Sequence, residues 1–205
     1  MQLRTLHRTS AVVLSIYVLL HIGNHLTSLY SVKLHITVMD AMRLVYRQPV
    51  VEAILLVCAS FQIGSGLWLA LRNRKHRIGA VAWLQATSGM YVAFFLLVHV
   101  TAVLSGRWVL QLDTNFFFAA AGLHVQPYQW FFAPYYFMAV VAVFAHIACA
   151  AYWHLLASSQ ARAKSVLVIA LSVGVLLSAL ITFSLAGMIT SFTVPAEYKA
   201  TYGAN

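Results

Sequence analysis

Five long apolar runs separated by short polar segments dominate this sequence: 9–30, 50–71, 82–104, 130–156 and 166–189. A helix rises about 1.5 Å per residue, so about 20 apolar residues cross the roughly 30 Å hydrocarbon layer of a bilayer. No water reaches that layer to satisfy backbone N–H and C=O groups, and each run is therefore predicted to be helical. The expectation is an all-α integral membrane bundle of five transmembrane helices, with 1–205 as a single transmembrane domain. Composition excludes a soluble protein. Of the 205 residues, 62% are hydrophobic and 8% charged, whereas a soluble domain carries charge on about a quarter of its residues.

The charges between the runs predict topology. Arg4, Arg8, Arg72, Arg74, Lys75, Arg77, Arg162 and Lys164 share one side, eight cations with no acid. The other side holds Lys33, Arg43, Arg47, Arg107 and Lys199 with all four acids, Asp40, Glu52, Asp113 and Glu197. Excess Lys and Arg mark the cytoplasmic side. The N-terminus is therefore expected in the cytoplasm and the C-terminus outside, in a multi-pass membrane protein. The net charge of +9 reports this placement and predicts no nucleic-acid partner. Cys58 and Cys149 lie inside apolar runs, which argues against a disulfide framework or a Cys metal site. Phe116, Phe117, Phe118, Trp130, Phe131, Phe132, Tyr135 and Tyr136 read as an outer interfacial belt.

His21, His25, His99, His146 and His154 lie within the runs. An ionisable side chain in a membrane span is a functional hypothesis by default. The bland alternative is a neutral imidazole bonded to a carbonyl of a neighbouring helix. Five histidines in three helices, with no Asp or Glu chain inside the spans, favour a shared cofactor over a proton-relay transporter. A zinc site wants four ligands clustered at one depth, and these histidines read as single ligands on separate helices. That pattern suits haem, with one axial ligand from each of two facing helices. Small residues at Gly64, Ser65, Gly66, Ala148, Ala150 and Ala151 leave room for a porphyrin. His25, one turn beyond His21, is the alternative ligand or a propionate partner. His154 reads as a propionate partner or an interfacial histidine. His35, His76 and His124 are expected to be solvated, and His7 is set apart from them.

An internal repeat singles out two ligands. Ser10 precedes His21 by eleven residues and Ser88 precedes His99 by eleven, an offset of 78. Eleven residues are about three turns, so each Ser shares a stripe with its His. A weaker echo at offset 84 sets Gln62 against His146.

These residues resemble the five-helix cytochrome b membrane anchor of succinate dehydrogenase and fumarate reductase. The likeness covers about residues 4–156. It rests on Trp83 to Gly89 followed by His99, on His7-Arg8-Thr9-Ser10, similar to a His-Arg-x-Ser motif near quinone, and on Met42 to Arg47 with Pro49 to Glu52. The resemblance implies b-type haem, with the first and third helices holding an outer haem and the second and fourth an inner one. It implies His21 and His99 as outer ligands and His146 as an inner one. Gln62 stands where the second-helix ligand would be, and Gln is a poor iron ligand. One haem is therefore expected, with room for a second. Ser10 and Ser88 fall at the cofactor-binding positions of the repeat. Arg8 is expected to hold a quinone carbonyl or a propionate, or to serve as a positive-inside anchor. The resemblance further implies flavoprotein and iron–sulfur subunits docked on the cytoplasmic face, and electron passage to or from membrane quinone. The rivals are a haem-free membrane scaffold and a small transporter.

Overall fold

The computed structural model describes residues 2–203. Its helices run α1 (Gln2–Thr27), α2 (Val32–Tyr46), α3 (Pro49–Arg72), α4 (Ala80–Trp108), α5 (Phe116–Ala121), α6 (Gln129–Leu156), α7 (Gln160–Leu185) and α8 (Ala196–Ala200), with a short 3-10 turn at Arg74–His76 before α4. No strand occurs among the described residues. Five helices, α1, α3, α4, α6 and α7, are long and apolar enough to cross a membrane. They have 24 to 29 residues and lengths of about 36–44 Å at 1.5 Å per residue, more than the hydrocarbon layer requires. The chain is thus a five-helix, multi-pass membrane protein.

The spans match the five apolar runs with shifted ends. The first begins at Gln2 rather than residue 9, and the third continues through Arg107 to Trp108. Arg107 is able to sit there because its guanidinium is paired with Glu52 of α3. The fifth span stops at Leu185, not residue 189. Just beyond it, Gly187 takes a left-handed φ of +73°, and the Gly187 and Met188 N–H groups donate to the Ser184 and Phe183 carbonyls, closing the helix as a glycine C-cap does.

The spans form a ring in which α1 packs on α3, α3 on α4, α4 on α6, α6 on α7, and α7 back on α1. The tightest pair is α6 and α7. Ala139, Ala142, Ala145, Ala148 and Cys149 on α6 are buried, and Gly174 of α7 lies against Phe144. In lipid, helices approach through small residues of this kind. The backbones of α1 and α4, and of α3 and α6, do not meet. Between them runs a cavity of about 1300 Å³. Packed interiors leave few voids larger than a water molecule, and small-molecule pockets span about 300–1,000 Å³.

The ring end that carries all four acids is capped by α2, α5 and α8. Segment 31–49, left as a connection by its sequence, contains the 15-residue α2. It is too short to span, and it starts where the Ser31 hydroxyl accepts the Leu34 N–H. Phe116 of α5 is fully buried among Ile22, Ile181, Leu185 and Tyr198. This corrects the belt reading at Phe116, whereas Trp130 at 79% and Phe131 at 50% exposure stay on the outside of the bundle. Arg43 of α2 ties the cap together through ion pairs with Asp40 at 3.0 Å and Asp113 at 2.8 Å.

Candidate functional site

The cavity brings the span histidines to two levels. Toward the capped end, His21 and His25 of α1 lie in contact, with ring centres 4.8 Å apart. His99 of α4 faces His21 at 6.1 Å, and His35 of α2 sits 5.0 Å from His25. Four imidazoles therefore form one run of ring contacts, His99 to His21 to His25 to His35, which corrects the expectation of single histidines spread over separate helices. Helical spacing puts His21 and His25 on one face of α1, and the α1–α2 turn folds His35 over them. Two flat stacks hold the facing pair: Tyr17 on His21 at 5.8 Å and Phe95 on His99 at 5.0 Å.

Sequence reasoning missed His35. Expected in solvent, it is 3% exposed. Its Nδ1 lies 3.0 Å from the Asn24 carbonyl, so Nδ1 donates. Burial pushes the His35 imidazole below its usual pKa, the Asn24 bond opposes this, and Arg43 adds to the lowering. The signal that could have found it is the helix start at Ser31, four residues before it. His124 is also less solvated than expected, with Nε2 donating to the Leu185 carbonyl at 2.9 Å. His76 and His154 are exposed.

Several polar atoms at this level lack a partner, although Asn24 Nδ2 lies 3.5 Å from His35 Nε2. No ring nitrogen of His21 or His99 forms a hydrogen bond among the described residues. His25 Nδ1 and Asn24 Oδ1 are buried without a partner. Buried polar atoms are normally satisfied, and several orphans around one cavity mark a place built for a ligand. The nearby acids are engaged, Glu52 with Arg107 and Asp40 and Asp113 with Arg43, so imidazole is the principal donor available to a metal here. Among the described residues, no three or more His, Cys, Asp or Glu side chains are arranged to hold a bare metal ion.

Toward the cationic end, His146 of α6 donates from Nδ1 to the Gln85 carbonyl at 3.0 Å, with the Ser88 hydroxyl 3.5 Å away. Gly89 makes room for this ring. A Cβ at Gly89 would stand 2.7 Å from His146 Cε1. Ser88 itself donates to the Gln85 carbonyl at 3.2 Å. Ser10 is occupied too. It donates to the Leu6 carbonyl at 2.9 Å and receives the Gln62 amide at 2.7 Å. The Gln62 amide also donates to the His7 carbonyl at 2.5 Å. Arg8 is exposed and lines the cavity mouth.

No protein-family model matches the chain, and neither a curated protein nor a solved structure matches it.

Proposed function

We propose that this chain is a haem-carrying membrane subunit that passes electrons between a dehydrogenase or reductase and membrane quinone. The observation that carries the reading is the His21–His99 pair, facing across a cavity of about 1300 Å³ with ring centres 6.1 Å apart. Two imidazoles on opposite sides of one metal, each bonded at about 2 Å, hold their ring centres about 6 Å apart. The unpaired nitrogens fit the same role, as does the lack of a three-ligand cluster for a bare ion. A macrocycle brings its own equatorial ligands and asks the protein for two axial ones.

Haem iron with two imidazole ligands changes oxidation state by one electron and so relays electrons. The chain's own part is to hold and tune. His21 and His99 would hold the haem, and Tyr17 and Phe95, stacked on those rings, would fix their planes. Both rings line the cavity inside the bundle, and burial around a haem is a lever on its potential. Arg8, exposed at the cationic mouth, is placed in this reading to meet a quinone carbonyl. Quinone use, the flavoprotein and iron–sulfur partners and the inner-membrane location rest on the resemblance to succinate dehydrogenase and fumarate reductase anchors. The cationic end is the cytoplasmic one in this reading, because eight cations and no acid lie there.

The test is the optical and EPR spectrum of membranes carrying His99→Ala, His21→Ala and His25→Ala. No other histidine lies on α4, so His99→Ala is expected to abolish the low-spin signal of this haem. In His21→Ala, His25 one turn away partly restores it. A wild-type low-spin spectrum in an inserted His99→Ala protein sinks the proposal.

A further inference from the structure

We propose that an acidic phospholipid fills a side opening of the cavity between α1 and α6. Its phosphate meets Arg4, Arg8 and His154, and one acyl chain lies in the opening. The inference rests on neither the haem reading nor the resemblance.

The opening follows from which helices wall the cavity. The backbones of α1 and α6 do not meet. Of α7, only Ile181 and Leu185, near its end, line the cavity among the described residues. They close the capped half. Ile22 of α1 is buried with them, and the Ser28 hydroxyl, just past α1, lies 2.7 Å from that of Ser184. Toward the cationic end this wall is missing. There Val12, Ile16 and Leu19 of α1 line the cavity and yet are exposed, Val12 at 61% and Ile16 at 60%. Ile147 and Ala150 of α6 do the same. Residues three or four apart share a helix face, so each helix presents one apolar stripe to a slot that is open to lipid.

Both stripes end on a nitrogen donor at the cationic end. Arg8 stands one turn before Val12, and His154 one turn after Ala150. Both line the cavity, are exposed, and have no hydrogen-bond or ion-pair partner among the described residues. Arg4 lines it too, and donates to Asn73 Oδ1 at 3.4 Å. All four acids lie at the other end, so the anion for these groups comes from outside the chain. Basic pockets between membrane helices take lipid phosphates. Trp153, whose Nε1 donates to Gln85 Oε1 at 2.8 Å, marks headgroup level beside them.

Depth selects the occupant. From Arg8 to Leu19 the slot runs about 16 Å at 1.5 Å per residue. An acyl chain reaches from its headgroup to the bilayer midplane, about 15 Å. A helix of a partner or of a second copy would cross the whole layer, about 30 Å, and the capped half of the slot is closed to it. A quinone ring is uncharged and would leave the cations without a counterion. Arg8 has five N–H donors, enough for a phosphate and a quinone carbonyl together.

The experiment purifies the full chain in mild detergent from membranes holding both acidic and zwitterionic phospholipid, and identifies the retained lipid by native mass spectrometry. A single acidic phospholipid per wild-type chain is expected. The double variant Arg4→Gln, Arg8→Gln should lose it. The double variant Arg162→Gln, Lys164→Gln should keep it, because those cations share that end but do not line the cavity. Ala150→Phe alters no charge and fills the slot, and it too should lose the lipid, whereas Val168→Phe on the exposed face of α7 keeps it. The proposal is overturned by a chain that retains no lipid, by zwitterionic lipid held as firmly as acidic, or by a quinone or a second copy of the chain in its place. Acidic lipid that persists in Arg4→Gln, Arg8→Gln or in Ala150→Phe overturns it as well. If the arginine variant fails to insert, Ala150→Phe decides. Haem spectra do not enter this readout, so it stands or falls separately from the His21–His99 reading.

Discussion

The His35 imidazole is 3% exposed, held between the Asn24 carbonyl, the His25 ring and Phe116. Nothing within its own helix dictates that burial. It follows from α2 folding back over α1 and from α5 closing on top. Burial moves its pKa below the usual 6.5, outweighing the Asn24 bond, and Arg43 lowers it further. Below pH 6.5 the unfolded chain takes up a proton at this position that the folded chain refuses. The stability linked to His35 is therefore full above that pH and falls as pH drops toward the lowered value. The thermal midpoint in detergent is expected to fall between about pH 7.5 and 5.5, and to fall less steeply in His35→Gln. Equal slopes in the two proteins would show that His35 is not held neutral by the fold.

Between elements, two kinds of contact alternate around the ring. The α6–α7 seam is close-packed, because alanines and Gly174 let the two backbones draw together. Elsewhere α1, α3, α4 and α6 splay around the cavity and touch only their neighbours. Glycines on the two surfaces should respond differently. A Cβ at Gly174 would stand 2.6 Å from Phe144 Cβ, an atom fixed to its backbone that cannot swing away. Gly174→Ala is expected to destabilise by about 1–3 kcal/mol, the usual cost of overpacking. Gly64 on α3 has nothing within 4 Å of the position a Cβ would take. Gly64→Ala should be neutral or slightly stabilising, since alanine is the better helix former. Thermal unfolding of both variants in one detergent checks the contrast, and equal effects would show that the α6–α7 seam is looser than described.

For the whole molecule, charge is divided between the two ends of the bundle. The capped end holds Asp40, Glu52, Asp113 and Glu197, and three of these acids are committed to Arg43 and Arg107. The other end carries only cations among its ionised groups. If that division sets insertion, reporter fusions at Asn73 and Asp113 will behave oppositely, with Asn73 in the cytoplasm. An outside location for the Asn73 fusion would reverse the orientation and move the docking face of any soluble partner to the capped end.

All five spans were legible from the chain itself. Hydropathy over about 20 residues is a local property, and lipid leaves the backbone no alternative to a helix. The helical stripe joining His21 to His25 and the repeat linking Ser10–His21 to Ser88–His99 were legible for the same reason, because both follow from residue spacing along one element. What lay across the bundle was not. Nothing in the order of residues indicates that α2 carries His35 onto His25, that Phe116 leaves the interface for the core, or that Gln62 turns to the His7 carbonyl instead of facing His146. Those outcomes depend on which helices become neighbours and on how closely small residues let them approach. The sequence by itself determined the spans and the helix face on which each imidazole stands. Only the tertiary structure decided which imidazoles meet, because proximity between residues distant in the chain is set by packing.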